Sequence, residues 1–142
     1  MIVKEGCVTQ ALGKADCVIV CVDSAVRSDG TIGMLNGSAG ALGAKHPTLG
    51  KSFGEKVIQL CGDQGTFFLY LGGKVGMFQT MVRPKDGLSL YLVAGAVQRL
   101  MNIAKENPGK VYALEWPCRG EPDWLLGRIM DNLPDNVHVY KP

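Results

Sequence analysis

The feature that most constrains this chain is an unbroken apolar run, Asp16-Cys17-Val18-Ile19-Val20-Cys21-Val22, rich in β-branched residues and closed off by Gly13-Lys14 before it and Asp23-Ser24 after it. Successive side chains of a strand point to opposite faces. A strand that is apolar at every position therefore has no face to give to water and must be covered on both sides, which is the environment of a central strand in an α/β sheet. A solvated antiparallel sheet, with its polar and apolar alternation, is excluded for this segment.

The rest of the chain supplies partners for that strand. Val57 to Cys61 (VIQLC), Thr66 to Leu71 (TFFLYL), Val75 to Val82 (VGMFQTMV), Val111 to Trp116 (VYALEW) and Val137 to Tyr140 (VHVY) read as further strands. The pair on either side of Leu71-Gly72-Gly73-Lys74 reads as a hairpin. Leu88 to Lys105 predicts the strongest helix, with Leu92, Val93, Ala96, Val97 and Leu100 at helical spacing, Asp86 available as its cap and Asn107-Pro108-Gly109 as its stop. Asp123 to Leu133 predicts a second helix, and Ser38 to Lys45 a glycine-rich third. The finish of helix, strand, helix, strand predicts parallel crossovers and a sheet sandwiched between helices.

At 142 residues the chain matches one ordinary domain, and we expect residues 1–142 to form it. Its net charge of +2 comes from scattered Lys and Arg with no basic stripe, so no nucleic-acid groove is expected, while an anionic small molecule is compatible. Met1 to Gly6 lacks the apolar core of a signal peptide, and no apolar run is long enough to span a bilayer. The five cysteines, odd in number and never spaced as Cys-x-x-Cys, fit a reducing compartment better than a disulfide framework, so a cytoplasmic location is expected. His46 and His138, the only histidines, have no metal-ligand spacing around them, and no cofactor or metal is implied.

Ligands of open α/β sheets bind where strands end and the following loops part. Two loops fit. The first runs from Asp23-Ser24 through Gly30-Thr31-Ile32-Gly33 to Gly37-Ser38-Ala39, at the start of a helix. The second, Pro117-Cys118-Arg119-Gly120-Glu121, also leads into a helix. Glycines let main-chain N–H groups approach phosphate oxygens, and a helix N-terminus adds partial positive charge. The plainer reading is that these glycines serve only tight turns. Neither standard fingerprint is present: no Gly-x-Gly-x-x-Gly occurs, and the segment ending Gly50-Lys51-Ser52 has Lys45 where a Walker motif needs glycine. Ser24 lacks a nucleophile elbow. Cys118, beside Arg119 and ahead of a helix, is placed where a thiol pKa falls, and Trp116 and Trp124 flank the same loop as possible cleft walls.

On these residues the chain resembles the macro domain family. Gly6-Cys7-Val8-Thr9 stands where that family has a Gly-Asp-Ile-Thr-like turn, Asp16 to Ser24 where it has its apolar strand, and Gly30 to Gly40 where it has its glycine-rich loop. Pro117 to Trp124 and Val137-His138-Val139-Tyr140 are similar to its closing loop and last strand. The resemblance implies a three-layer α/β/α fold with a mixed central sheet, and is strongest to the compact branch that includes terminal ADP-ribose protein glycohydrolases and ADP-ribose-1″-phosphate phosphatases.

What the resemblance implies for function is binding of ADP-ribose or an ADP-ribosyl derivative, free or carried by a modified protein. The ligand contacts would fall on Cys7, Val8, Asp23, Ser24, Gly30, Thr31, Gly33, Gly37, Ser38, Ala39, Pro117, Cys118, Arg119, Gly120 and Glu121. Hydrolysis of an ADP-ribosyl ester or 1″-phosphate would fall to Asp23, Lys85 and Glu121. Cys7 replaces the carboxylate that the family uses on adenine, and Asp23 replaces an Asn near the distal ribose. A non-catalytic reader of ADP-ribosylated partners and a ligand-free interaction module are the alternatives.

Overall fold

A computed structural model describes residues 1–33, 37–61, 65–117 and 124–142. Strands β1 (Ile2–Glu5), β2 (Cys17–Val22), β3 (Leu69–Leu71), β4 (Val75–Gln79), β5 (Tyr112–Glu115) and β6 (Val137–Lys141) form one mixed sheet in the order β1-β6-β5-β2-β4-β3. All neighbours are parallel except β3, which pairs antiparallel with β4 as the predicted hairpin. Helices α1 (Gly37–Lys45), α2 (Leu49–Cys61), α3 (Leu90–Glu106) and α4 (Trp124–Met130) complete the regular structure, with short 3-10 helices at Val8–Ala11 and Pro84–Asp86.

β2 is central, flanked by β5 and β4, and its side chains divide by alternation as a doubly covered strand requires. Cys17 and Ile19 enter a core with Val93, Ala96, Val97 and Leu100 of α3 and Leu126 and Met130 of α4. Val18, Val20 and Val22 enter a second core with Val8, with Leu42 of α1 and with Phe53 and Val57 of α2. The molecule is thus three layers, α/β/α, with α3 and α4 on one face and α1 and α2 on the other.

Two local expectations fail. Val57 to Cys61 is not a strand but the last turn and a half of α2. Phe53 and Val57 are buried one turn apart while Ile58 and Leu60 are exposed, which is a helical division of the same apolar residues. Asp86 is not the cap of α3. Ser89 is, its Oγ accepting from the Leu92 N–H at 3.3 Å, while Asp86 closes the 3-10 turn and pairs with Arg83 at 3.0 Å. The chain also adds an edge strand, β1, in register with β6.

Candidate functional site

β2, β4 and β5 are adjacent and parallel, so their C-terminal ends share one edge of the sheet. There the chain encloses a cavity of about 530 Å³, within the size range of small-molecule sites. Cys21, Val22 and Asp23 enter it from β2 and the loop beyond, Thr80 and Met81 from the end of β4, and Glu115, Trp116 and Pro117 from the end of β5. Arg27 and Gly33 of the first loop and Ala39 in the first turn of α1 complete one wall, and Pro84 and Leu88 the other.

The first loop holds its shape through main-chain interlocks. Val26 and Ile32 form an antiparallel bridge, the Arg27 N–H donates to Thr31 O at 2.8 Å, and the Gly30 N–H donates back to Arg27 O at 2.9 Å. Gly30 turns the chain at φ +84°, a region glycine enters without strain. The loop then leans on α2: Ile32 N–H donates to Gly50 O at 3.2 Å, and any Cβ on Gly54 would collide with the Gly30 carbonyl. A second interlock lies behind β4. The wholly buried Gln79 accepts from the Phe67 and Phe68 N–H groups at 2.7 and 3.0 Å and donates to Gly65 O at 2.7 Å. Ser24 Oγ donates to the same Gly65 carbonyl at 2.6 Å.

Of the residues named from sequence, Asp23, Gly33, Ala39 and Pro117 line the cavity. Asp23 is half-buried, and burial pushes its carboxyl above the ordinary carboxylate value although the Ala25 N–H (2.9 Å) and Arg27 act in the opposite direction. Ser24 spends its hydroxyl on Gly65, and Thr31 Oγ1 bonds Asp29 at 2.7 Å. Gly37 opens α1 and Ser38 follows it, buried, with its hydroxyl 3.4 Å from Cys7 Sγ. Cys7 precedes the 3-10 helix of Val8; burial raises its thiol pKa, but hydrogen bonds with Ser38 and Thr9 outweigh that and leave it below the ordinary value. Val8 has its side chain wholly inside the core. Lys85 is exposed in the Pro84–Asp86 turn, next to a cavity-lining residue but not lining the cavity itself. Cys118, Arg119, Gly120 and Glu121 lie outside the described residues. Trp116 is a wall, with Lys141 Nζ 3.9 Å from its ring centre, whereas Trp124 is 71% exposed and carries Arg128 over its ring.

Sequence reasoning missed Arg27, Thr80 and Glu115. Glu115 was the most legible of them, a carboxylate closing an otherwise apolar strand; it is 9% exposed, and its Oε2 accepts from the Cys21 N–H at 2.8 Å across the β2–β5 pair. Thr80 becomes visible only once β4 is known to lie beside β2.

No protein-family model and no curated protein matches the chain. Solved structures do. A macrodomain of Mycobacterium tuberculosis DarG superposes with a TM-score of 0.64 at 18% identity, covering 99% of this chain and 98% of that one. A macrodomain protein from Streptomyces coelicolor gives 0.64 at 14% identity, covering 99% of both chains. Thermosipho africanus DarTG, solved in complex with ADP-ribose, gives 0.61 at 16% identity, with 87% of this chain matched to 37% of that one. The likeness is one of fold: this chain has the macrodomain fold.

Proposed function

We propose that this macrodomain-fold chain binds ADP-ribose, or an ADP-ribosyl group carried by another molecule, in the cavity at the C-terminal edge of β2, β4 and β5. The observation that carries the proposal is the convergence of the loops after β2 and β5 on one cavity, with the first turn of α1 in its wall. The described lining has two carboxylates, Asp23 and Glu115, and one cation, Arg27. Side-chain charge therefore gives a diphosphate little attraction, and main-chain N–H groups are the donors suited to it. The first N–H groups of a helix have no partner within it and point outward along its axis. Gly37, Ser38 and Ala39 supply them, and Gly33 brings further main chain to the cavity, whereas the Gly30, Thr31 and Ile32 N–H groups are taken by Arg27 O, Asp29 Oδ1 and Gly50 O and serve to hold the loop in shape.

In this reading Asp23 accepts hydrogen bonds from the hydroxyls of the distal ribose. Cys7, Val8 and Ser38 meet the adenine end, with main chain substituting for a carboxylate. Trp116 and Pro117 bound the ligand on the β5 side. Titration calorimetry with ADP-ribose, ADP, AMP and ribose 5-phosphate tests the assignment. ADP-ribose should bind about tenfold more tightly than ADP, the equivalent of ~1.4 kcal/mol from the distal ribose. Equal affinity for both would make this a general nucleotide site, and absence of binding to all four would leave an interaction module.

Hydrolysis is a second reading, favoured by Asp23. A carboxylate held in a half-buried site with its pKa raised is a better proton acceptor than a solvated one, and is suited to orienting water against a bound ester or 1″-phosphate. Glu121 and Lys85 are the remaining nominees. Turnover of ADP-ribose-1″-phosphate or an ADP-ribosyl ester, reduced at least about a hundredfold by Asp23→Asn, supports an enzyme. No turnover alongside intact binding makes the chain a reader of ADP-ribosylated partners.

A further inference from the structure

A second hollow, about 800 Å³, lies at the opposite edge of the sheet, where β2 and β4 begin. Its floor is apolar: Val18 is core, and Leu12, Ala15, Leu49 and Val75 are partly buried side chains packed on that core and left open toward the hollow. Its rim is polar. Thr48 and Ser52 stand at the start of α2, His46 at the end of α1, and Lys74 in the β3–β4 turn.

Lysines outnumber acids around this rim once the residues that adjoin its lining are included. Among the described residues one acid, Asp16, lines it, held by the Val111 N–H, which its Oδ2 accepts at 2.8 Å. Lys74 lines it directly, and Lys14, Lys45 and Lys51, all exposed, adjoin the lining residues Gly13, His46 and Ser52 in sequence. The Lys74 main chain is fixed at the sheet edge, its carbonyl accepting the Val18 N–H at 2.9 Å, while its side chain is exposed. An apolar floor under a cationic rim selects one chemistry: a body that dehydrates favourably joined to an anionic head that stays at the surface.

We propose that this hollow is a second binding site, independent of the cleft, for a small organic anion in which a carboxylate is carried on an apolar body. The carboxylate sits against Lys74 and the Thr48 and Ser52 hydroxyls, and the body lies on Leu12, Leu49 and Val75. Because the two hollows open at opposite ends of parallel strands, the site does not compete with a nucleotide in the cleft.

The test is an amide-resonance titration of the whole chain with 4-phenylbutyrate, its neutral analogue 4-phenyl-1-butanol, and a glutamate-rich peptide. The acid should shift Leu49, Ser52, Lys74 and Val75 while leaving Cys21 and Ala39 in place. It should bind about tenfold more tightly than the alcohol, and the difference should shrink with added salt. Lys74→Glu should abolish that preference, and Ser52→Trp, which fills the hollow from an exposed position, should remove binding of both. Equal binding of acid and alcohol would overturn the proposal, as would an unchanged preference in Lys74→Glu or no shift at about 10 mM probe. Binding of the peptide alone would also overturn it, by making the hollow a protein-docking surface.

Discussion

The two ends of the sheet are built differently. At the C-terminal end the cavity is shaped by main chain locked from behind: Gly54 of α2 lets the Gly30 carbonyl close in, and Gln79 and Ser24 share the Gly65 carbonyl. At the N-terminal end the hollow is edged by the tips of exposed side chains, Lys74, Ser52 and His46. The first arrangement makes shape depend on buried residues that a ligand never touches. The second makes recognition depend on surface charge and leaves stability largely out of it.

That contrast breaks if Gly54→Val is tolerated. The new side chain must displace the Gly30 turn or α2, and overpacking of this kind costs about 3 kcal/mol or more. We expect a large drop in the urea midpoint and loss of ADP-ribose binding by calorimetry. A stable variant with unchanged affinity would show that the interlock does not shape the cavity.

Gln79→Leu removes the partners of the Phe67 and Phe68 N–H groups and one of the two donors to Gly65 O. Stranding buried main-chain groups costs roughly 1–3 kcal/mol each, so a loss of about 2–4 kcal/mol is expected after local relaxation. Chemical denaturation reads it. A loss below about 0.5 kcal/mol would mean that the network is redundant.

Asp23→Asn sharpens the comparison through pH. Because burial raises the Asp23 pKa above its ordinary value of 3.8, the protonated form favours the fold at low pH, and that advantage fades as pH rises through the folded-state value. Asn keeps the neutral form throughout. The variant should match the parent at low pH and exceed its Tm above the titration, even while ADP-ribose affinity falls about fivefold or more with the lost hydrogen bond. A parent at least as stable as the variant at neutral pH would contradict the desolvation of Asp23. The smallest effect is expected for Lys85→Ala, exposed and outside the lining: stability within about 0.5 kcal/mol and affinity within about twofold. A larger loss of affinity would bring Lys85 into the site.

Much of this was legible in the sequence, and the failures have physical causes. The run Cys17–Val22 announced a doubly covered strand because it is apolar at every position, dominated by β-branched residues and bounded on both sides by polar and glycine residues. α2 was hidden because Gly50 and Gly54 weaken its helical signature and Val57-Ile58 is β-like in composition; the close approach to Gly30 that requires Gly54 is a tertiary fact. β1 escaped notice because Ile2-Val3-Lys4-Glu5 is short, exposed and without alternation, held mainly by pairing with β6. At the site, loop residues that follow strand ends, such as Asp23 and Pro117, could be named from local pattern. Thr80 could not, since its place in the cavity depends on β4 flanking β2; Arg27 was one polar residue among several in the first loop, and Glu115 was marked only as the carboxylate that closes an apolar strand.

The most direct test of the account is a crystal structure of the chain grown with ADP-ribose. The diphosphate should lie against the first turn of α1 and the Gly33 main chain, with the distal ribose within hydrogen-bonding distance of Asp23. A nucleotide seated at the other end of the sheet, or a cleft left empty at a concentration that saturates binding in solution, would contradict it.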